Sequence, residues 1–209
     1  GETLDWLCEK GAYEDASGRL YMRAVKLYID GAMGSRGAAL LSDYSDESGN
    51  AGLLFMPPAD LEAKFDKAMA CGFQVGVHAI GDHGNRGVLD VLESSMQKHP
   101  QNPGRHRVEH AQTLTAADIP RFAQLDVIAA MQPTHATSDM YWVEDRLGAE
   151  RVKYAYAWRS LLDSCARLAL GSDFPVEQVN PMLGIHAAVT RQDTEGWPPG
   201  GWYPAENLT

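Results

Sequence analysis

Cysteine is scarce in this chain, and what there is lacks a pattern. Three of 209 residues are cysteine, Cys8, Cys71 and Cys165, an odd number at wide spacing with no Cys-x-x-Cys. That excludes a disulfide framework or a zinc knuckle as the organising device and reads as reduced structural thiols in a cytoplasmic protein. Long apolar runs are missing too. No stretch approaches the roughly 18 apolar residues of a membrane-spanning helix. No signal peptide is visible, and with Gly1 as its first residue the chain reads as starting mid-protein. Positive charge is the third shortage: 18 Lys and Arg against 28 Asp and Glu give a formal net charge of −10, with no basic block. This argues against nucleic acid or an anionic membrane as partner. Gly81, Gly84 and Gly87 do not have G-x-G-x-x-G spacing, so no dinucleotide fingerprint is present either.

What is present fits one globular domain with a real core, at 44% hydrophobic and 22% charged residues. Gln74-Val75-Gly76-Val77-His78 is a β-type run that ends on a histidine and runs into Gly81. Strand alternation sets Val75 and Val77 on one face and Gln74, Gly76 and His78 on the other. That suits a parallel barrel strand, with valines against outer helices and His78 at the C-terminal end, where barrel sites lie. Val25 to Asp30 alternates as well, turning Lys26, Tyr28 and Asp30 inward. A buried ammonium is costly unless paired or chemically changed. Residues 31–58 read as a long rim loop, with Gly34-Ser35-Arg36 its most reactive-looking part.

Helices are expected at the start (residues 1–11, Trp6 and Leu7 packing, Gly11 as stop), over 61–70 behind Asp60, and over 85–98. Others are expected after the Thr115–Asp118 capping pair, over about 151–165, and from Pro181 to about Arg191. Further strands are 105–110, ending on His110, then 127–131, then 168–173, with Ala169, Gly171 and Asp173 inward. A loop carrying Thr134 and His135 follows the second of these. His78 to His110 is 32 residues and His110 to Asp173 is 63, one and two βα units, at about 31 residues per unit in a barrel of about 250. The fold class is therefore α/β: a partial TIM (β/α)8 barrel of about five units, strands 4 to 8, with about three units expected upstream of Gly1.

Two histidines and an aspartate on one rim, with an inward lysine, make a hydrolytic metal site on paper. Neutral imidazoles bind zinc-type ions, a bound ion acidifies its water, and a carboxylate can move the proton. Five motifs in order go further: Val25-Lys26-Leu27-Tyr28, His78-Ala79-Ile80-Gly81-Asp82, Arg107-Val108-Glu109-His110-Ala111-Gln112, Met131-Gln132-Pro133-Thr134-His135 and Gly171-Ser172-Asp173-Phe174-Pro175-Val176. Together, from about residue 21 to 209, they resemble the amidohydrolase superfamily, and within it the branch that includes N-substituted formamide deformylase.

The resemblance implies a metal-dependent hydrolase of C–N bonds other than peptide bonds, acting on a small amide-type substrate. Its cofactor would be one or two divalent ions, zinc above others. Lys26 would be a lysine carboxylated by carbon dioxide, bridging metals. His78 and His110 would be metal ligands, Asp173 a metal ligand and general base, and Arg36 and His135 substrate-binding residues. The resemblance also implies an incomplete barrel domain over 1–209, without the N-terminal strands and accessory β-sandwich, and leaves homo-oligomerisation open. The family's His-x-His pair on strand one is not in this chain, so only the metal site of Lys26, His78 and His110 could be held here, and this piece alone is not expected to be fully active. Two other readings stay open: a non-catalytic or regulatory barrel remnant, and a lyase or isomerase on the same fold.

Plainer roles stand beside these. Lys26 could snorkel or pair with Asp30, and Asp173 could cap a helix before Pro175. His83, His99 and His106 read as surface or structural, and His186 as packing inside a helix. Arg107 and Glu109 read as a structural ion pair facing away from the His110 side. Trp197, Trp202 and Tyr203 could line a pocket or pack a loop.

Overall fold

The computed structural model describes residues 2–208. It opens with helix α1 (Glu2–Lys10), ended by Gly11, whose φ of 75° is readily taken only by glycine. A small antiparallel hairpin follows, β1 (Tyr13–Glu14) with β2 (Tyr21–Met22). The body is one sheet of five parallel strands in chain order: β3 (Ala24–Tyr28), β4 (Gln74–Ala79), β5 (Arg107–His110), β6 (Ile128–Met131) and β7 (Arg167–Leu170). Between them run α2 (Pro58–Ala70), α3 (Asp82–Lys98), α4 (Ile119–Gln124), α5 (Pro133–Asp139), α6 (Val143–Arg151) and α7 (Trp158–Asp163), and α8 (Pro181–Thr190) comes last. Parallel neighbours in sequence order, each joined by helix, are the βα units of the expected partial barrel.

The core sits between sheet and helices. Val75 and Val77 of β4 are fully buried in one cluster with Leu61 and Phe65 of α2 and Val88 and Leu89 of α3. That is the predicted valine face. β4 and β6 are almost wholly buried, whereas β3 and β7, the outer strands of the sheet, are largely exposed.

Several local expectations are corrected. Cys8 on α1 and Cys71, just after α2, form a disulfide with Cα atoms 5.3 Å apart. Their separation of 63 residues hides the pair from any spacing rule. Only Cys165 is free among the described residues, so cysteine usage no longer argues for a reducing compartment. In α1, Leu7 packs against the core as expected and Leu4 is buried, while Trp6 is exposed. α2 starts at Pro58 behind Pro57, which leaves Asp60 inside the first turn instead of capping it. Thr115 and Asp118 do bond each other (2.7 Å), one turn ahead of α4. The helix expected over 151–165 is broken. Tyr156 takes φ 53° and gives its N–H to Gln112 O (2.7 Å), pulling the chain onto the barrel before α7 begins. The segment with Thr134 and His135 is helix α5, not loop. His186 is exposed on α8 instead of packed. No helix among the described residues is long and apolar enough to cross a membrane.

Candidate active site

The C-terminal ends of the strands surround a cavity of about 560 Å³, lined by Lys26, Tyr28, His78, His110, His135 and Asp173 on one side. Ala32, Met33, Gly34, Gln112, Asp139, Trp142 and Glu177 are also in its wall. Five of the six residues singled out from sequence thus share one space. Arg36 is not in the lining. Its guanidinium is engaged by Asp46 (2.9 Å) and Glu47 (3.1 Å) within the rim loop.

His78 leaves β4 on the face opposite Val77, and its side chain is 13% exposed. Burial, then the nearby His110 and Lys26, pushes its pKa down to about 4, so the ring is neutral at pH 7. Its Nε2 is buried without a hydrogen-bond partner, 3.6 Å from Asp30 Oδ1. The His110 ring meets it edge-on at 4.6 Å between centroids. His110 gets there by breaking strand parity. Gly76 and His78 register with Arg107 and Glu109, so strict alternation would turn His110 toward the helices. Instead His110 has φ 77° and Ala111 φ 43°, which swings the imidazole into the cavity. Gln132 Oε1 lies 2.8 Å from His110 Nδ1, and the Gln132 amide donates to Ala130 O (3.1 Å). That fixes the amide, places the His110 proton on Nδ1 and leaves Nε2 open. Burial also lowers the pKa of His110 and of His135, which stacks on it at 5.8 Å.

Lys26 is exposed on β3, so among the described residues it is not a buried ammonium. Its Nζ lies 4.5 Å over the Tyr28 ring instead of beside Asp30. Asp173 follows β7 in a turn with φ 53°, exposed, so the inward alternation drawn for it ends at Leu170. Its charge raises the pKa of His78, His110 and His135, a sign of how near it stands. Arg107 and Glu109 do form an ion pair (2.8 Å), but on the face of the sheet shared with Gly76 and His78 instead of away from it, because His110 and not this pair breaks the alternation.

One group escaped the sequence reading, and a second, Asp30, was read as inward without its partners. Asp139 is one helical turn after His135, so both lie on one face of α5 and reach the same cavity. Its carboxylate accepts from the Tyr156 hydroxyl and from Gln112 Nε2 (3.2 Å), and burial lifts its pKa to about 6. Asp30, fully buried, has a pKa raised to about 6 by burial, against the pull of three backbone N–H donors. Among the described residues no three His, Cys, Asp or Glu side chains form a cation-binding group by themselves. The two imidazoles would need the Lys26 end of β3 or another ligand.

Parallel βα units whose strand ends bring ionisable groups around one cavity are the architecture of barrel enzymes. The chain belongs to the amidohydrolase family, whose sequence model matches residues 1–208. It is 40% identical over 207 residues to the protein LONG AFTER FAR-RED 3 of Arabidopsis thaliana, covering 99% of this chain and 35% of that one. It is similar to the crystal structure of a metal-dependent hydrolase from Pyrococcus furiosus (TM-score 0.85, 32% identity, 100% of this chain and 41% of that one). A metal-dependent hydrolase from Pyrococcus horikoshii OT3 is likewise similar (TM-score 0.82, 35% identity, 91% and 38%). The chain therefore spans 35% to 41% of the length of these relatives.

Proposed function

We propose that this chain supplies the histidine ligands and the proton-carrying carboxylate of a hydrolase that cleaves a C–N bond in an amide, formamide or related small molecule. The observation that carries this reading is the convergence of Lys26, His78, His110, His135 and Asp173 on one cavity. The residues fit a divalent cation, zinc by donor chemistry. Burial holds both imidazoles in the neutral, metal-binding form, and His78 Nε2 has no hydrogen-bond partner. His78 and His110 would hold the ion. Lys26 would join as a carbamate, formed when its neutral amine adds to carbon dioxide and loses a proton. When bound, such an ion polarises a carbonyl and brings the pKa of water to about 7.

The chain's own side chains do the rest. Asp173 takes the proton of the attacking water and returns it to the leaving nitrogen. Gln132 keeps the His110 proton on Nδ1 and so its lone pair directed inward. His135, stacked on His110, meets the substrate beside the scissile bond.

Metal analysis after equilibration with zinc tests the ligands. The unaltered chain retains the ion and His110→Ala loses it; a variant with full metal content refutes the role of His110. Asp173→Asn separates binding from proton transfer. It keeps the ion and loses turnover of an N-substituted formamide by about 100-fold or more, the usual contribution of a general base. Unchanged turnover removes Asp173 from the mechanism.

A further inference from the structure

The Asp30 carboxylate joins two segments that are distant in sequence. Its Oδ1 accepts from Ile80 N (3.0 Å), and its Oδ2 from Gly81 N (2.8 Å) and Ala39 N (3.0 Å). Ile80 and Gly81 are the turn immediately after the strand end that carries His78. Ala39 belongs to the rim loop, whose Ala32, Met33 and Gly34 wall the cavity. The same Oδ1 stands 3.6 Å from His78 Nε2. The packing leaves no slack. A Cβ on Gly81 would come within 1.9 Å of Ala39 O, and one on Gly84 within 2.7 Å of Asp30 Oδ2. The rim loop returns the contact, since Ala39 O accepts from His83 N (3.1 Å) and Gly84 N (3.3 Å) in the first turn of α3. An anionic acceptor at a helix N-terminus is the favourable sign. Asparagine could not replace it, because its amide would turn an N–H against one of the three donors.

We infer that Asp30 is a positioning residue for His78: it locks the strand end that aims the imidazole and the loop that walls the cavity into one unit. The consequence for cation binding rests on reading His78 as a ligand; the lock itself does not.

The test uses the whole chain and Co²⁺ as probe. In the unaltered protein the amides of Ala39, Ile80 and Gly81 exchange with solvent as a group. Exchange of Ala39 about tenfold faster than the other two, the mark of an independent loop, overturns the lock. Asp30→Asn weakens Co²⁺ binding about 10- to 100-fold and changes the visible absorption of the bound ion, as loss of a ligand's supporting group does. Asp118→Asn, which loosens the remote Arg86 and Arg121 pairs, leaves affinity and spectrum unchanged. Should Asp30→Asn not fold, Gly84→Ala, which pushes a methyl at Oδ2, is read the same way. An unaltered Co²⁺ affinity and spectrum in the folded variant overturns the inference. Failure of the unaltered chain to bind Co²⁺ instead sinks the ligand reading of His78, and the exchange rates still decide the lock.

Discussion

The middle and the margins of the sheet are built from similar sequence and end in different states. β4 and β6 are enclosed by neighbours and helices, and the two histidines, His78 and His110, stand in or beside that packed middle. β3 and β7 each have one strand neighbour, and their side chains lie open: Tyr28 is 51% exposed and Leu170 47%. Lys26 and Asp173 sit on these open strands or just beyond them. Within this chain, His78 and His110 are thus seated among packed neighbours, while Lys26 and Asp173 lie on or just beyond strands that have one neighbour each. Preorganisation in a cavity of this kind is a property of neighbours, not of the ligating residue.

Stability measurements can break that contrast. Leu89→Ala in the enclosed layer, at 0% exposure, lowers unfolding free energy by about 2–5 kcal/mol. Met182→Ala on the open face of α8, at 63% exposure, changes it by less than about 0.5 kcal/mol. Equal losses in chemical denaturation would mean that the margins are as tightly held as the middle. Acid sharpens the comparison with a smaller effect. His106 is 1% exposed, and its Nδ1 accepts the Val75 N–H (3.1 Å), with burial pushing its pKa down to about 4. The unfolded chain takes up that proton near pH 6.5 and the folded chain does not. Stability is therefore fully present above pH 6.5 and falls as pH drops toward 4, by at most roughly 3 kcal/mol. His106→Asn keeps an acceptor for Val75 and flattens that slope. A slope identical to that of the unaltered chain assigns the acid sensitivity elsewhere.

Much of the scaffold was legible because periodicity reports what an element packs against. The valines of β4, the apolar run of β6 and the stripe of α3 each have neighbours that their pattern announces. Patterns failed where a single backbone torsion or a distant partner decides. The turn at Tyr156 breaks an apparently continuous helix because its N–H is taken by Gln112. Cys8 and Cys71 meet only once α1 folds onto α2. At the site, residue types were readable and directions were not. Parity is silent on the left-handed residues His110 and Asp173. Asp30 reads as an inward acid, and its backbone partners are invisible until the rim loop closes over it. Asp139 was within reach, four residues after His135, once that segment is read as helix.

The left-handed pair His110–Ala111 has a consequence for anyone reworking this protein. Each non-glycine residue in that region costs on the order of 1 kcal/mol, and glycine or asparagine would relieve the first of them. Selection for thermal robustness alone would therefore erode position 110 early. The imidazole must be held constant by hand, with rigidity sought in the outer strands instead.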